Sequence, residues 1–310
     1  MLIIDGHADT LSEILDEGRT LNNTKNGFNL KEACLITPYI QNFAAYVSPE
    51  YVKAKEAFKR ANAIIDKFYS EYSVNKDKLI LITNKYDVEK VINEKKVGAV
   101  LSIENGSSIE GNLDNVDYFF DRGIRIMSIT WNFENDLGSG AKTVNDTGLT
   151  ILGKDYIKRL NKKNILVDVS HVSEKSFYDV VNISNKPIIA THSCAKKLCN
   201  HPRNLTDDQI KKIAESGGTI GICFYNEFLS EKNIATVDDI VNHIEYIAEL
   251  VGIDYVSFGT DFQEKEKCPD GIHRVLDFDK IFDNLRNRGV KEDDIEKIAG
   301  ENFERVLKNI

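Results

Sequence analysis

The chain has no C-x-x-C pair, and its five cysteines, Cys34, Cys194, Cys199, Cys223 and Cys268, are odd in number. A disulfide framework and a cysteine-built zinc knuckle are both disfavoured, and the thiols read as reduced. There is no apolar run long enough to span a bilayer, and the opening Met1-Leu-Ile-Ile-Asp5 carries neither a basic stretch nor a long apolar one. A cytoplasmic location with no leader or anchor is expected. An excess of positive charge is also missing: 40 basic against 49 acidic residues leave a net charge of −9. That balance repels phosphate backbones and anionic lipid heads, so neither nucleic acid nor membrane is expected as a partner. Finally, no glycine-rich G-x-G-x-x-G turn follows an apolar run, and there is no Pro/Gly/Ser-rich linker, internal repeat or low-complexity tract. A dinucleotide fold is disfavoured, and residues 1–310 read as one domain.

What is present is ample core material, with 42% hydrophobic content in 310 residues. Short β-branched apolar runs alternate with longer amphipathic stretches, the pattern of parallel strands covered by helices. Strands are predicted at Leu2–Asp5, Tyr39–Val47, Gly98–Ile103, Arg125–Thr130, Ile165–Ser170, Pro187–Thr191, Thr219–Phe224 and Val256–Thr260. The second is the weakest, because it carries Gln41 and Asn42. Helices are predicted over Pro49–Tyr72, Tyr86–Lys96, Asp114–Asp121, Thr150–Lys163, Ser173–Asn182, Thr206–Ser216, Thr236–Val251 and Asp279–Arg288, with Ser173 and Thr206 as caps. Eight strands with intervening helices fit an α/β fold of the (β/α)8 TIM-barrel type, closed or somewhat distorted, better than two doubly wound halves. The polar, glycine-containing stretches Glu17–Asn29 and Glu264–Arg274 read as loops over one end of it.

Three of the six histidines fall at or just after predicted strand ends: His7, His171 and His192. In such barrels the active site forms at the C-terminal strand ends, so residues distant in sequence converge on one mouth. Asp9, Glu104 and Asp261 join the same rim. Three imidazoles and three carboxylates in one place oppose one another's ionisation unless a cation is present. Imidazole with carboxylate suits Zn²⁺, and also Mn²⁺, Fe²⁺ or Co²⁺. Six candidate groups exceed one tetrahedral shell, so two metals sharing a bridging carboxylate is the economical reading. The His7-x-Asp9 pair is the most informative local signal, since residues two apart on an extended chain face the same way. His201, His243 and His273 sit in loop or helical contexts and are left out of the metal site. Asp168 lies an odd number of residues before His171, so alternation turns the two apart and argues against Asp168 orienting that ring.

The motifs Asp5-Gly-His-Ala-Asp-Thr10, Ser102-Ile-Glu-Asn-Gly106, Asp168-Val-Ser-His-Val-Ser173, Thr191-His-Ser193, His201-Pro-Arg-Asn-Leu205 and Gly259-Thr-Asp-Phe262 follow one another in order and spacing. In this the chain resembles the renal or membrane dipeptidases, peptidase family M19 of the metal-dependent amidohydrolase-like barrels, over nearly its whole length. The resemblance implies that His7 and Asp9 bind one divalent ion and His171 and His192 a second, with Glu104 bridging both and Zn²⁺ the foremost candidate. It implies that Arg203 grips the terminal carboxylate of a dipeptide substrate, a task for which a planar guanidinium is suited. Asp261 would be the acid/base that handles the proton of a water between the ions, and a homodimer is implied by the resemblance alone.

One departure stands out. Where the mammalian enzymes end the strand after the bridging glutamate in a Thr-His pair, this chain reads Ser128-Ile-Thr-Trp-Asn132. Trp131 takes the place of a substrate-binding imidazole, so the mammalian oxyanion contact and substrate preference are not implied. Trp131 and Tyr225, at the end of the seventh predicted strand, are candidate substrate contacts. The expected activity is metal-dependent hydrolysis of a dipeptide amide bond. Fold and metals leave room for hydrolysis of N-acyl amino acids, lactams or lactones on the same site, or for a catalytically silent metal-binding barrel.

Overall fold

A computed structural model of the chain describes residues 1–232, 234–262 and 265–310. Its centre is one parallel sheet of nine strands: β1 (Ile3–Ala8), β2 (Tyr39–Tyr46), β3 (Leu79–Leu81), β4 (Val97–Glu104), β5 (Ile124–Ser128), β6 (Leu166–Asp168), β7 (Ile188–Ile189), β8 (Ile220–Ile222) and β9 (Val256–Phe258). Eight of them run in the order β7-β6-β5-β4-β2-β1-β9-β8, and a parallel bridge between Ala190 and Ile220 joins the two ends into a barrel. All eight predicted strands are present, several trimmed by one to three residues and β1 and β4 longer than expected. The additional strand, β3, pairs only with the start of β4 and lies off the ring. Gln41 and Asn42 are accommodated in β2 because Gln41 Oε1 accepts from the Tyr39 hydroxyl at 2.9 Å and Asn42 Nδ2 donates to the Gly6 carbonyl at 2.7 Å. A hydrogen bond offsets much of the cost of burying a polar side chain.

Strand alternation sorts the core into two bodies. Ile4, Ile40, Val100, Ile126, Leu166 and Ile189, one from each of six strands, form an inner cluster closed by Phe303, Val306 and Leu307. These last three come from the C-terminal helix Asn302–Leu307, which stoppers the barrel at the end opposite the site. The outward-facing residues of the same strands, among them Ile3, Tyr39, Ala99, Met127 and Val167, pack under the surrounding helices.

The helices follow from amphipathic stretches and their caps. Ser173 accepts from Ser176 N–H ahead of the helix Glu174–Ile183, and Thr206 with Gln209 makes a capping box ahead of Asp207–Glu215. The expected helix Pro49–Tyr72 is instead two, Pro49–Lys53 and Ala57–Val74. Lys55 between them takes a left-handed φ of 57°, which a continuous helix cannot accommodate. The loop over 17–29 is irregular as expected, and Gly27 bridges to Arg274, so it meets the second expected loop. Glu264, the first residue of that second loop, lies outside the described residues. Among the described residues no helix is long and apolar enough to cross a membrane, and Cys34, Cys194, Cys199 and Cys223 are free thiols.

Candidate metal centre

The site is assembled from strand ends. His7 sits near the end of β1, Asp9 caps the helix Thr10–Asp16, Glu104 is the last residue of β4, and His171, His192 and Asp261 each lie three residues beyond β6, β7 and β9. His171 and Asp261 hold left-handed φ values of 72° and 50°. Such backbone is uncommon for non-glycine residues and gathers where surrounding structure imposes a functional pose.

Glu104 stands at the middle. Its Oε2 is 3.2 Å from His7 Nε2 and its Oε1 is 2.9 Å from His171 Nε2. His7 Nε2 is also 3.8 Å from Asp9 Oδ1. His192 Nε2 lies 2.8 Å from His171 Nε2. Ligand atoms of His7, Glu104 and His192 fall within 4.8 Å of one another, and so do those of His7, Asp9 and Asp261. All six residues named from the sequence therefore converge, and Asp261 is near enough to share an ion with His7 and Asp9.

The hydrogen bonds on the far side of each ring decide what faces inward. Asn132 Oδ1 lies 2.9 Å from His171 Nδ1, and an amide oxygen can only accept, so Nδ1 carries the proton. Thr191 Oγ1 lies 2.9 Å from His192 Nδ1. His171 Nε2 is then left with a lone pair, and that lone pair faces His192 Nε2 at 2.8 Å and Glu104 Oε1 at 2.9 Å, a place suited to a cation. His7 Nε2, Asp9 Oδ1 and Glu104 Oε2 are buried with no hydrogen-bond partner. Buried polar atoms are ordinarily satisfied, so three orphans aimed at one another fit a divalent ion.

Electrostatics agree. Burial works against a charge on His7, yet Glu104 first and then Asp9 and Asp261 raise its pKa to about 10. Burial also opposes ionisation of Glu104, but the His7 charge holds it well below the ordinary range. Burial and the neighbouring Glu104 push Asp9 well above its ordinary value. Burial and the nearby Arg203 take His171 down to about 3, and burial with the His7 charge keeps His192 far below its ordinary value. Neutral imidazoles are the form that ligates metal.

The substrate-side residues are placed less uniformly. Trp131 and Tyr225 both line a mouth cavity of about 260 Å³ together with Asp9, Glu104, His171, Phe228 and Asp261. Trp131 stacks beside His171, ring centres 6.0 Å apart at 28°. Arg203 is buried behind the imidazoles: its Nη2 donates to the His192 carbonyl at 3.2 Å, its guanidinium carbon lies 5.4 Å from the Phe228 ring centre, and its Nε has no partner. Asp168 does not orient His171; it bonds Thr191. His243 is structural, accepting from Ala195 N–H and facing the Leu229 carbonyl. Asn132 and Thr191 are the site contacts that sequence reasoning missed. Each is the direct neighbour of a singled-out residue, Trp131 and His192, which was the available signal.

Comparison with known proteins identifies relatives of the whole chain. The family model "membrane dipeptidase (peptidase family M19)" matches residues 1–310. A Klebsiella pneumoniae protein described only as an uncharacterized protein in the pqqA 5' region is 35% identical over 243 residues, 75% of this chain and 89% of that protein. Among solved structures, a metallo peptidase from Rhodobacter sphaeroides, liganded with a phosphinate mimic of the dipeptide L-Ala-D-Ala, superposes with a TM-score of 0.91 at 24% identity, covering 100% of this chain and 99% of that one. The metallo peptidase dipeptidase AC superposes with a TM-score of 0.92 at 24% identity, covering 100% and 98%. At these identities the structural likeness establishes the barrel, and the family match over the full length establishes descent: the chain belongs to the membrane dipeptidase family, peptidase family M19.

Proposed function

We propose that this chain, an enzyme of the dipeptide-hydrolysing metallo-hydrolase type by its family, works with two divalent ions bridged by Glu104. The observation that carries the reading is the opposition of His171 and His192 Nε2 at 2.8 Å beside Glu104 Oε1. His171 and His192 would hold one ion, His7 and Asp9 the other, and one carboxylate oxygen of Glu104 faces each pair. Zn²⁺ is the foremost candidate by donor set. When bound, such a pair supplies a Lewis acid for the scissile carbonyl and a water of lowered pKa.

The chain's own residues do the rest. Asp261, at the edge of the mouth and close to His7 and Asp9, takes the proton from the attacking water and returns it to the departing amine. Arg203 offers its unpartnered buried Nε to the substrate's terminal carboxylate, which limits the enzyme to short peptides. Trp131, Tyr225 and Phe228 wall the mouth and exclude water from the reacting groups.

The test is elemental analysis of the purified protein, paired with a panel of L-X-L and L-X-D dipeptides before and after chelation. Two metals per chain with chelator-sensitive cleavage is the expected result. Two metals without cleavage would redirect the reading to N-acyl amino acids, lactams and lactones, and a metal-free protein that cleaves nothing would sink it.

A further inference from the structure

We propose that Asp168 and Thr191 are positioning residues that act as a relay, setting which nitrogen of His192 carries the proton and therefore which one can take a metal. The proposal rests on reading His192 as a ligand. Thr191 Oγ1 donates to Asp168 Oδ2 at 2.6 Å, so the Thr191 hydroxyl proton is spent on Asp168. What the hydroxyl then presents to His192 Nδ1, 2.9 Å away, is a lone pair. Nδ1 must donate, and Nε2 is left bare on the side where His171 Nε2 and Glu104 lie. Metal-ligating histidines are commonly oriented by a carboxylate; here the carboxylate acts one residue removed, through a hydroxyl.

Thr191 itself is held from every side. Its N–H donates to Asp168 Oδ1 at 3.0 Å, and the same oxygen takes Ser170 N–H at 2.9 Å. Its carbonyl is packed against Gly6, Gly221 and Gly259, where an added Cβ would come within 2.9, 2.1 and 1.6 Å of the Thr191 oxygen. Three glycines from β1, β8 and the end of β9 thus clear the space that the Thr191 backbone fills.

The same clamp occurs a second time without the ring contact. Asp5 takes Thr260 Oγ1 at 2.6 Å, Thr260 N–H at 2.8 Å and His7 N–H at 3.2 Å. In both clamps an aspartate on one strand ties down a threonine that immediately precedes a site residue, His192 in one case and Asp261 in the other. Thr260 therefore supplies an internal control: its hydroxyl bonds the clamp aspartate and no imidazole hydrogen bond to it occurs among the described residues.

The experiment compares T191V, T191S and T260V with the unaltered protein. The first readout is the tautomer of His192 in the chelator-treated protein by nitrogen-15 NMR. The second is the affinity of each site for Zn²⁺ by competition with a chromogenic chelator. The unaltered protein and T191S are expected to show His192 protonated at Nδ1. T191V is expected to lose that preference and to bind the weaker of two Zn²⁺ about 10- to 100-fold less tightly than T260V does, the range for loss of an orienting partner. Protonation of His192 at Nε2 in the unaltered, chelator-treated protein would overturn the relay, as would equal Zn²⁺ affinities of T191V and T260V. Because the NMR readout needs neither metal nor turnover, failure of the metal-site reading, seen as no Zn²⁺ bound at all, is distinguishable from failure of the relay.

Discussion

His7 Nε2 and Glu104 Oε2 lie 3.2 Å apart, both buried and neither hydrogen-bonded. With no ion between them they form a charge pair, which is why the His7 pKa rises from 6.5 to about 10 despite burial. A metal at the same place must displace the His7 proton. Binding of Zn²⁺ at pH 7.5 is therefore expected to release at least one proton, seen in calorimetry as a heat that varies with the ionisation enthalpy of the buffer. The sign for the metal-free protein follows from the same shift. Stability contributed by the raised His7 pKa is complete below about pH 6.5 and is lost as pH rises through about 10. A buffer-independent heat would show that His7 is already neutral.

Replacing Asp261 by Asn keeps the volume and removes the proton acceptor. Metal content is expected to hold at the unaltered value while kcat falls by about 10²- to 10⁴-fold, the range for loss of a general acid/base. Asp261 also lies within ligand distance of His7 and Asp9, so metal content is the discriminating measurement. Loss of one metal together with activity would make Asp261 a ligand, and retained activity would remove it from the mechanism.

How much of this was legible beforehand depended on whether a feature is local. The eight ring strands announce themselves through β-branched runs, and residues at their C-terminal ends share one mouth by topology, so His7, Glu104, His171 and His192 could be grouped across 185 positions of chain. β3 was missed because Leu79–Leu81 is only three residues and its pairing with β4 is invisible in periodicity. The break at Lys55 turns on a left-handed backbone, for which lysine carries no signal. Asp168 is three residues from His171 in sequence and does not meet it. Its actual partner, Thr191, is 23 residues away and meets it only through the register of β6 with β7.

Trp131 borders two cavities, the mouth of about 260 Å³ and an adjacent, more apolar one of about 430 Å³ lined by Pro49, Val52, Phe133 and Asn135. Truncation to Ala should join them. The expected result is a kcat/KM for dipeptides with bulky apolar side chains that rises roughly tenfold relative to alanyl dipeptides, within the range a hydrophobic pocket can discriminate. An unchanged ratio would mean that the indole only covers the His171 ring beside which it stacks.

Gly259 and Gly18 separate two reasons for a glycine. At Gly18 the backbone takes φ +65° with nothing within 4 Å of an added Cβ, so alanine there meets only the left-handed penalty, about 1–2 kcal/mol. At Gly259 no left-handed φ is involved, but an added Cβ would lie 1.6 Å from the Thr191 oxygen and 3.2 Å from the His192 Cα. These are backbone atoms held by the barrel ring and by Asp168, so they cannot swing aside as a side-chain tip would. Gly259→Ala is expected to destabilise the metal-free protein by more than Gly18→Ala does, at or beyond the roughly 1–3 kcal/mol of an overpacked core. Denaturant unfolding of the two variants checks the order. Because the displaced atoms carry His192, Gly259→Ala should also weaken Zn²⁺ binding while Gly18→Ala leaves it alone. A Gly259→Ala protein with unaltered stability would show that the strand end bearing His192 is free to shift, against the packing described above.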